Sequence, residues 1–167
     1  MSTRILALDL ARVTGWAVVV REPGRPPVVA ASGAVTVGTG RWAADWDRAH
    51  RDAWSAEQLA CWVQRTVYLE NVTTLVLEDA FADAARTRAA RQLWILRGAA
   101  LAGARMARPR ISVVDAPIRT WQAWAAMAIG WQKRRGRAGD EADARAIGLW
   151  AASRNQRTDK EQWKCVG

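Results

Sequence analysis

Histidine, cysteine and acidic residues are all in short supply in this chain, and each shortage closes off a kind of chemistry. The single histidine, His50, leaves zinc catalysis without ligands. The two cysteines, Cys61 and Cys165, lie far apart in no metal-ligand spacing, so both read as reduced thiols. No apolar run approaches the ~20 residues that a membrane-spanning helix needs. The N-terminus enters strand pattern within a few residues and lacks the plan of a signal peptide. The expectation is a cytoplasmic protein with no membrane partner and no small-molecule cofactor.

What the chain does have is positive charge. Acids number 16 against 25 lysines and arginines, for a formal net charge of +9 over 167 residues. That length suits one domain with a real core and is too short for a two-lobed kinase of the actin-like kind. The cations are overwhelmingly arginine, and residues 84–114 carry seven arginines and no acid. Arginine favours planar, bidentate contacts with phosphate, so the bias suits a nucleic-acid partner. A GC-rich coding bias would explain arginine over lysine but not the net charge. The 11 tryptophans are expected mainly in the core and interfaces, with a minority left to stack on bases.

Hydrophobic patterning gives the order of elements. Residues 4–10 and 16–20 read as strands joined at Gly15. The Pro- and Gly-rich stretch 21–27 reads as a turn, and residues 28–37 as a third strand, making an antiparallel meander. Helical sequence runs from about 45 to 68, with Leu59, Trp62, Val63 and Val67 on one face, and Ser55 with Gln58 spaced for a capping box. A fourth strand is expected at 73–78, a long helix from 86 to about 107, and a fifth strand at 111–114 stopped by Asp115-Ala116-Pro117. Helices at 118–127 and 140–153 follow, separated by a basic loop at 131–139. The apolar face of the long helix is wide enough to meet both the sheet and another surface. The whole reads as α/β with a mixed sheet, the fourth strand parallel to the first.

Against this background three acidic stations stand out: Asp9 ending the strand Ile5-Leu6-Ala7-Leu8, Glu78 ending Thr74-Leu75-Val76-Leu77, and Asp140 with Asp143 in the last helix. A carboxylate ending a buried strand is costly unless something positive offsets it. Singly, each has a bland explanation: a hydrogen-bonded strand end for Asp9, the end of an edge strand for Glu78, and an N-cap after Gly139 for Asp140. Together they can present several hard oxygens to Mg²⁺. Two Mg²⁺ ions per site, with Mn²⁺ as a substitute, would serve hydrolysis of a phosphodiester, with Asp9 as the residue best placed to bridge both.

The acidic stations and their neighbours resemble a known family. Ile5-Leu6-Ala7-Leu8-Asp9 with Val13-Thr14-Gly15-Trp16 resembles the opening of RuvC-like Holliday junction resolvases. Glu78-Asp79-Ala80-Phe81 is similar to their second acidic strand end, and Arg97-Gly98-Ala99 to the Arg-Gly pair on their dimer helix. Asp140-Glu141-Ala142-Asp143-Ala144-Arg145-Ala146-Ile147 is similar to their closing Asp-x-x-Asp-Ala-x-Ala-Ile motif. The resemblance implies an RNase H-like fold: a mixed five-stranded sheet, with a three-strand antiparallel meander plus two parallel strands, flanked by helices. It implies one nuclease domain over residues 1–153 with a polar tail at 154–167. It further implies a homodimeric crossover junction endodeoxyribonuclease that resolves branched, four-way DNA by paired symmetric nicks, in DNA recombination and repair. Asp9, Glu78, Asp140 and Asp143 become the catalytic metal ligands, and Phe81 the residue that stacks on bases at the opened crossover. The dimer interface is expected from Leu93, Trp94, Leu96, Arg97 and Gly98.

The departures are equally specific. Leu10-Ala11 stand where the family has Pro-Gly, and the segment before the Asp pair is short. The basic residues at the scissile phosphate therefore follow from position and charge alone: Lys133, Arg134, Arg135 and Arg137, with Arg86 and Arg88 as further DNA contacts. A trimmed, divergent member suggests a bacteriophage enzyme, placed then in the host cytoplasm. Competing expectations are an RNase H-like nuclease acting on RNA–DNA hybrid or precursor rRNA, and a non-catalytic DNA-binding protein. An actin-like phosphotransferase is nearly excluded by length.

Overall fold

A computed structural model describes residues 2–40, 46–79, 88–133 and 136–162. Five strands form one sheet: β1 (Thr3–Asp9), β2 (Val13–Arg21), β3 (Val28–Thr36), β4 (Thr74–Asp79) and β5 (Ser112–Pro117). Their order is β3-β2-β1-β4-β5, with β1–β3 an antiparallel meander and β4 and β5 parallel to β1. Among the described residues there are four helices: α1 (Arg48–Leu69), α2 (Arg88–Ala107), α3 (Ile118–Ile129) and α4 (Arg137–Gln162). The mixed sheet expected from the sequence is therefore the one observed.

Because β1 is covered on both faces, it reads as a continuous apolar run rather than an alternating one. Leu6 and Leu8 point into a core built with Leu59, Val63 and Val67 of α1 and with Leu96, Ala100 and Ala104 of α2. Ile5 and Ala7 point the other way, into a core with Trp121 and Ala125 of α3 and Ile147 and Trp150 of α4. Side chains alternate along a strand, so Asp9 falls on the face of Ile5 and Ala7. By the same parity Glu78 lies on the face of Val76, which belongs to the second core.

The helix over that face sits unusually close to the sheet. A Cβ on Gly148 would stand 2.7 Å from Val19 Cγ2, and one on Gly15 would overlap the Asp140 carbonyl. Ala144, Ala146 and Ile147 of α4 are fully buried. The Ser32 hydroxyl donates to Glu141 Oε1 at 2.8 Å, and Arg137 Nη2 donates to the Ala34 carbonyl at 2.9 Å, tying the start of α4 to β3.

Several local expectations need correcting. Ser55 and Gln58 form no capping box: α1 is already capped by Asp47, which accepts from the His50 amide. Buried Ser55 instead donates to the Arg51 carbonyl one turn back, while Gln58 accepts from the Gly38 amide. Asp115-Ala116-Pro117 does not stop β5; these residues pair with Leu77, Glu78 and Asp79, and Pro117 is tolerated because β5 is an edge strand. Glu78 accordingly lies in an interior strand rather than at the sheet edge. Asp140 is not an N-cap. The chain turns at Gly136 (φ 75°), α4 begins at Arg137, and Asp140 lies in its first turn. The helix also continues to Gln162, through residues expected in a polar tail.

Candidate metal-dependent active site

Parallel pairing of β1 with β4 runs up to Leu8 opposite Leu77, which leaves Asp9 and Glu78 side by side at the carboxyl end of the sheet. They are close enough that their carboxyls share a hydrogen bond. The first turn of α4 lies over this edge, held down where glycine at position 15 admits the Asp140 backbone. Asp140 and Asp143, three residues apart, share the helix side facing the strand ends. The charges of Glu78, Asp143 and Asp140 all act on Asp9, so acids from three distant parts of the chain converge on one place.

The convergence is electrostatically uncomfortable. Burial, followed by the charges of Glu78, Asp143 and Asp140, pushes the Asp9 carboxyl up to about 8 from 3.8. Burial also raises Glu78, against the opposing pull of the Trp121 indole, the Asp9 hydrogen bond and the Lys133 charge. Asp143 is raised by burial and eased by the Trp131 indole and Lys133; Asp140 is raised by burial alone. Among the described residues, no arginine is paired with any of the four, although the chain is strongly basic. Acids with raised pKa values and little compensating positive charge make this a candidate cation site.

The donor chemistry fits a hard divalent ion: only carboxylate oxygens, several of them, in a pocket partly closed to water. The side chains are not yet a cage. Among the described residues no three acidic, histidine or cysteine groups close on a single point. Burial and repulsion by neighbouring acids raise both Asp9 and Glu78, and Asp143 Oδ1 accepts from the Trp131 indole at 2.8 Å. Asp9, Glu78, Asp140 and Asp143 are the residues that would hold such an ion, and the charge it supplied would offset their mutual repulsion.

Of the basic candidates, Lys133 is brought to the site, where its charge bears on Glu78 and Asp143. Arg137 lies instead against the Ala34 carbonyl at the end of β3. Phe81, Arg86, Arg134, Arg135 and the side chain of Arg88 fall outside the described residues.

The expected dimer set divides. Leu96 is fully buried in the chain's own core, and Leu93 packs against that core. Arg97 is committed within the chain to an ion pair with Asp115 of β5. The stripe of α2 that faces outward is therefore Trp94 (56% exposed), Gly98, Ala102 and Met106, spaced four residues apart. On its inner side α2 spends Leu93 and Leu96 on the core shared with α1 and the sheet.

Two participants were not anticipated. Trp121 Nε1 donates to Glu78 Oε1 at 3.1 Å, and Trp131 Nε1 donates to Asp143. Nothing local marks them: in a chain with 11 tryptophans, one at a helix start and one after a helix end read as packing.

No sequence profile of a known family matches the chain, and no curated protein matches it in sequence. Solved structures do match. Thermus thermophilus RuvC, in complex with a Holliday junction substrate, aligns with a TM-score of 0.62 at 18% identity, over 88% of this chain and 90% of that one. Another Thermus thermophilus RuvC structure gives 0.59 at 15% identity, over 89% and 92%. The yeast mitochondrial Holliday junction resolvase Ydc2 gives 0.63 at 12% identity, over 96% and 84%. The chain has the RNase H-like fold of the RuvC-like resolvases.

Proposed function

We propose that this protein is a divalent-metal-dependent endonuclease that resolves four-way DNA junctions as a homodimer, making paired symmetric nicks. The observation that carries the reading is the convergence of Asp9, Glu78, Asp140 and Asp143 at one end of this sheet. The likeness to structures of RuvC and Ydc2 points the same way, as does the net charge of +9.

Asp9, Glu78, Asp140 and Asp143 would hold Mg²⁺ or Mn²⁺, which when bound activates water and stabilises the leaving oxygen of a phosphodiester. Asp9 gives up its proton for that purpose. Glu78 and Asp143 each keep one oxygen on an indole and offer the other. Lys133, a compact ammonium beside Glu78 and Asp143, is placed to meet a non-bridging oxygen of the strand being cut. A two-fold dimer matches two symmetric nicks, and the outward stripe of α2 centred on Gly98 is the surface for it. Small residues at 98 and 102 allow two such helices to approach closely.

A second reading, a nuclease acting on RNA–DNA hybrid, draws support from the narrowness of that stripe once Leu96 and Arg97 are assigned to the chain's own packing. Parallel digests of a synthetic four-way junction, a matched duplex and an RNA–DNA hybrid, with Mg²⁺ and with EDTA, separate the two. Junction cleavage in symmetric pairs supports the first; hybrid cleavage alone supports the second.

A further inference from the structure

Two of the four carboxyls are held by indoles that themselves touch. Trp121, the fourth residue of α3, is fully buried and donates to Glu78 Oε1 at 3.1 Å. Trp131 follows the end of α3, where Gly130 takes the left-handed conformation (φ 64°) and the Trp131 amide donates back to the Ala125 carbonyl. That turn brings the Trp131 ring against Trp121, edge to face, with centroids 5.1 Å apart and planes at 72°. From there its Nε1 reaches Asp143 Oδ1 at 2.8 Å. One helix and its terminal turn thus grip an acid of β4 and an acid of α4.

The chemistry of the indole suits the task. Its N–H donates and its ring offers no lone pair to accept or to bind a cation. It therefore fixes one carboxyl oxygen without competing for the ion or introducing another charge. Edge-to-face contact is the favoured aromatic geometry and resists sliding, so the two anchors move together. Without them, two carboxylates at one site would swing apart under mutual repulsion, and the cation would have to reassemble them.

We propose that Trp121 and Trp131 are positioning residues of the acidic site, a coupled pair that presents the remaining oxygens of Glu78 and Asp143 to the divalent ion. This rests on the reading of the four acids as metal ligands. The test titrates Tb³⁺ alone into the wild-type chain, into Trp131→Phe and, as a packing control, into Trp124→Phe, following tryptophan-sensitised emission. The half-saturation point is compared, since the amplitude falls whenever a donor ring is lost. Outer partners of metal ligands typically govern affinity by an order of magnitude or more, so Trp131→Phe should shift half-saturation upward about tenfold. Trp124→Phe, from the same packed cluster, should stay near wild type, and melting of Trp131→Phe in EDTA should change little. Junction cleavage by Trp131→Phe should recover with added Mg²⁺, separating metal affinity from turnover. Wild-type half-saturation in Trp131→Phe overturns the proposal. Should that variant fail to melt cooperatively, the wild-type indole N–H resonances of Trp121 and Trp131 decide: they should move with Mg²⁺, and fixed resonances overturn it. Wild-type protein that binds no Tb³⁺ removes the metal-site reading itself.

Discussion

Replacing Asp9 with asparagine should make the metal-free protein more stable, and the gain should grow with pH. Asp9 is pushed up to about 8 in the folded chain from 3.8, chiefly by burial and then by its acidic neighbours. A raised carboxyl means that the folded state binds the proton more tightly than the unfolded state does. Stability therefore falls as pH climbs from about 4 to about 8, and levels off above. At pH 7 the unfavourable term is the distance from 3.8 to 7 at 1.36 kcal/mol per unit, about 4 kcal/mol. That is an upper bound, because water relaxes the site. Asparagine keeps the shape of the protonated carboxyl and cannot ionise in either state. A gain of about 2 kcal/mol at pH 7 in EDTA, some 4–8 °C in melting temperature for a chain of this size, is the expected outcome. At pH 4.5 the gap should shrink to about 1 kcal/mol or less. Saturating Mg²⁺ should close it by stabilising only the wild type. Thermal or urea unfolding across this pH range, with and without Mg²⁺, measures all three. An asparagine variant no more stable than wild type at pH 7, or a gap that does not change with pH, would refute the account of the cluster.

Other consequences are more local. Glu78→Gln should abolish Mg²⁺-dependent junction cleavage while junction binding, measured by gel shift, stays within a few-fold or tightens as repulsion of phosphate falls. Gly15→Ala should overlap the Asp140 carbonyl and lift the first turn of α4, lowering stability by about 1–3 kcal/mol and cleavage by far more than that loss implies; wild-type cleavage by a folded variant would contradict the packing argument. If α2 carries the proposed dimer contact, wild type should sediment as a dimer and Trp94→Glu, on the outward stripe, as a monomer, whereas Leu93→Ala should cost core stability instead.

The sheet was readable because its strands carry a strong signal: β1 and β4 are apolar runs, each broken by one terminal acid. The parallel step from β1 to β4 followed from the helical crossover, and it alone made neighbours of Asp9 and Glu78. Boundaries failed where tertiary pairing overrode local chemistry. Pro117 sits in a strand because an edge position spares its missing N–H, and α4 starts early because Gly136 can take a positive φ. Gly139 beside Asp140 suggests a helix end, yet the helix starts one turn's worth of residues earlier and Asp140 lies within it. Leu96 proves to be core because a helical stripe shows which residues share a side, not what covers that side. The two indoles were invisible for a related reason: their roles depend on which carboxyl lies within reach, and no sequence spacing encodes that.

The central claim is that four acids at the end of this sheet make the chain cut branched DNA. Incubation of a labelled synthetic four-way junction with Mg²⁺ tests it most directly, using wild type and Asp9→Asn with a matched duplex alongside. The account predicts paired nicks at symmetric positions by the wild type, none in EDTA, none from Asp9→Asn, and an intact duplex. Mg²⁺-dependent junction cleavage by purified Asp9→Asn at the wild-type rate would contradict it.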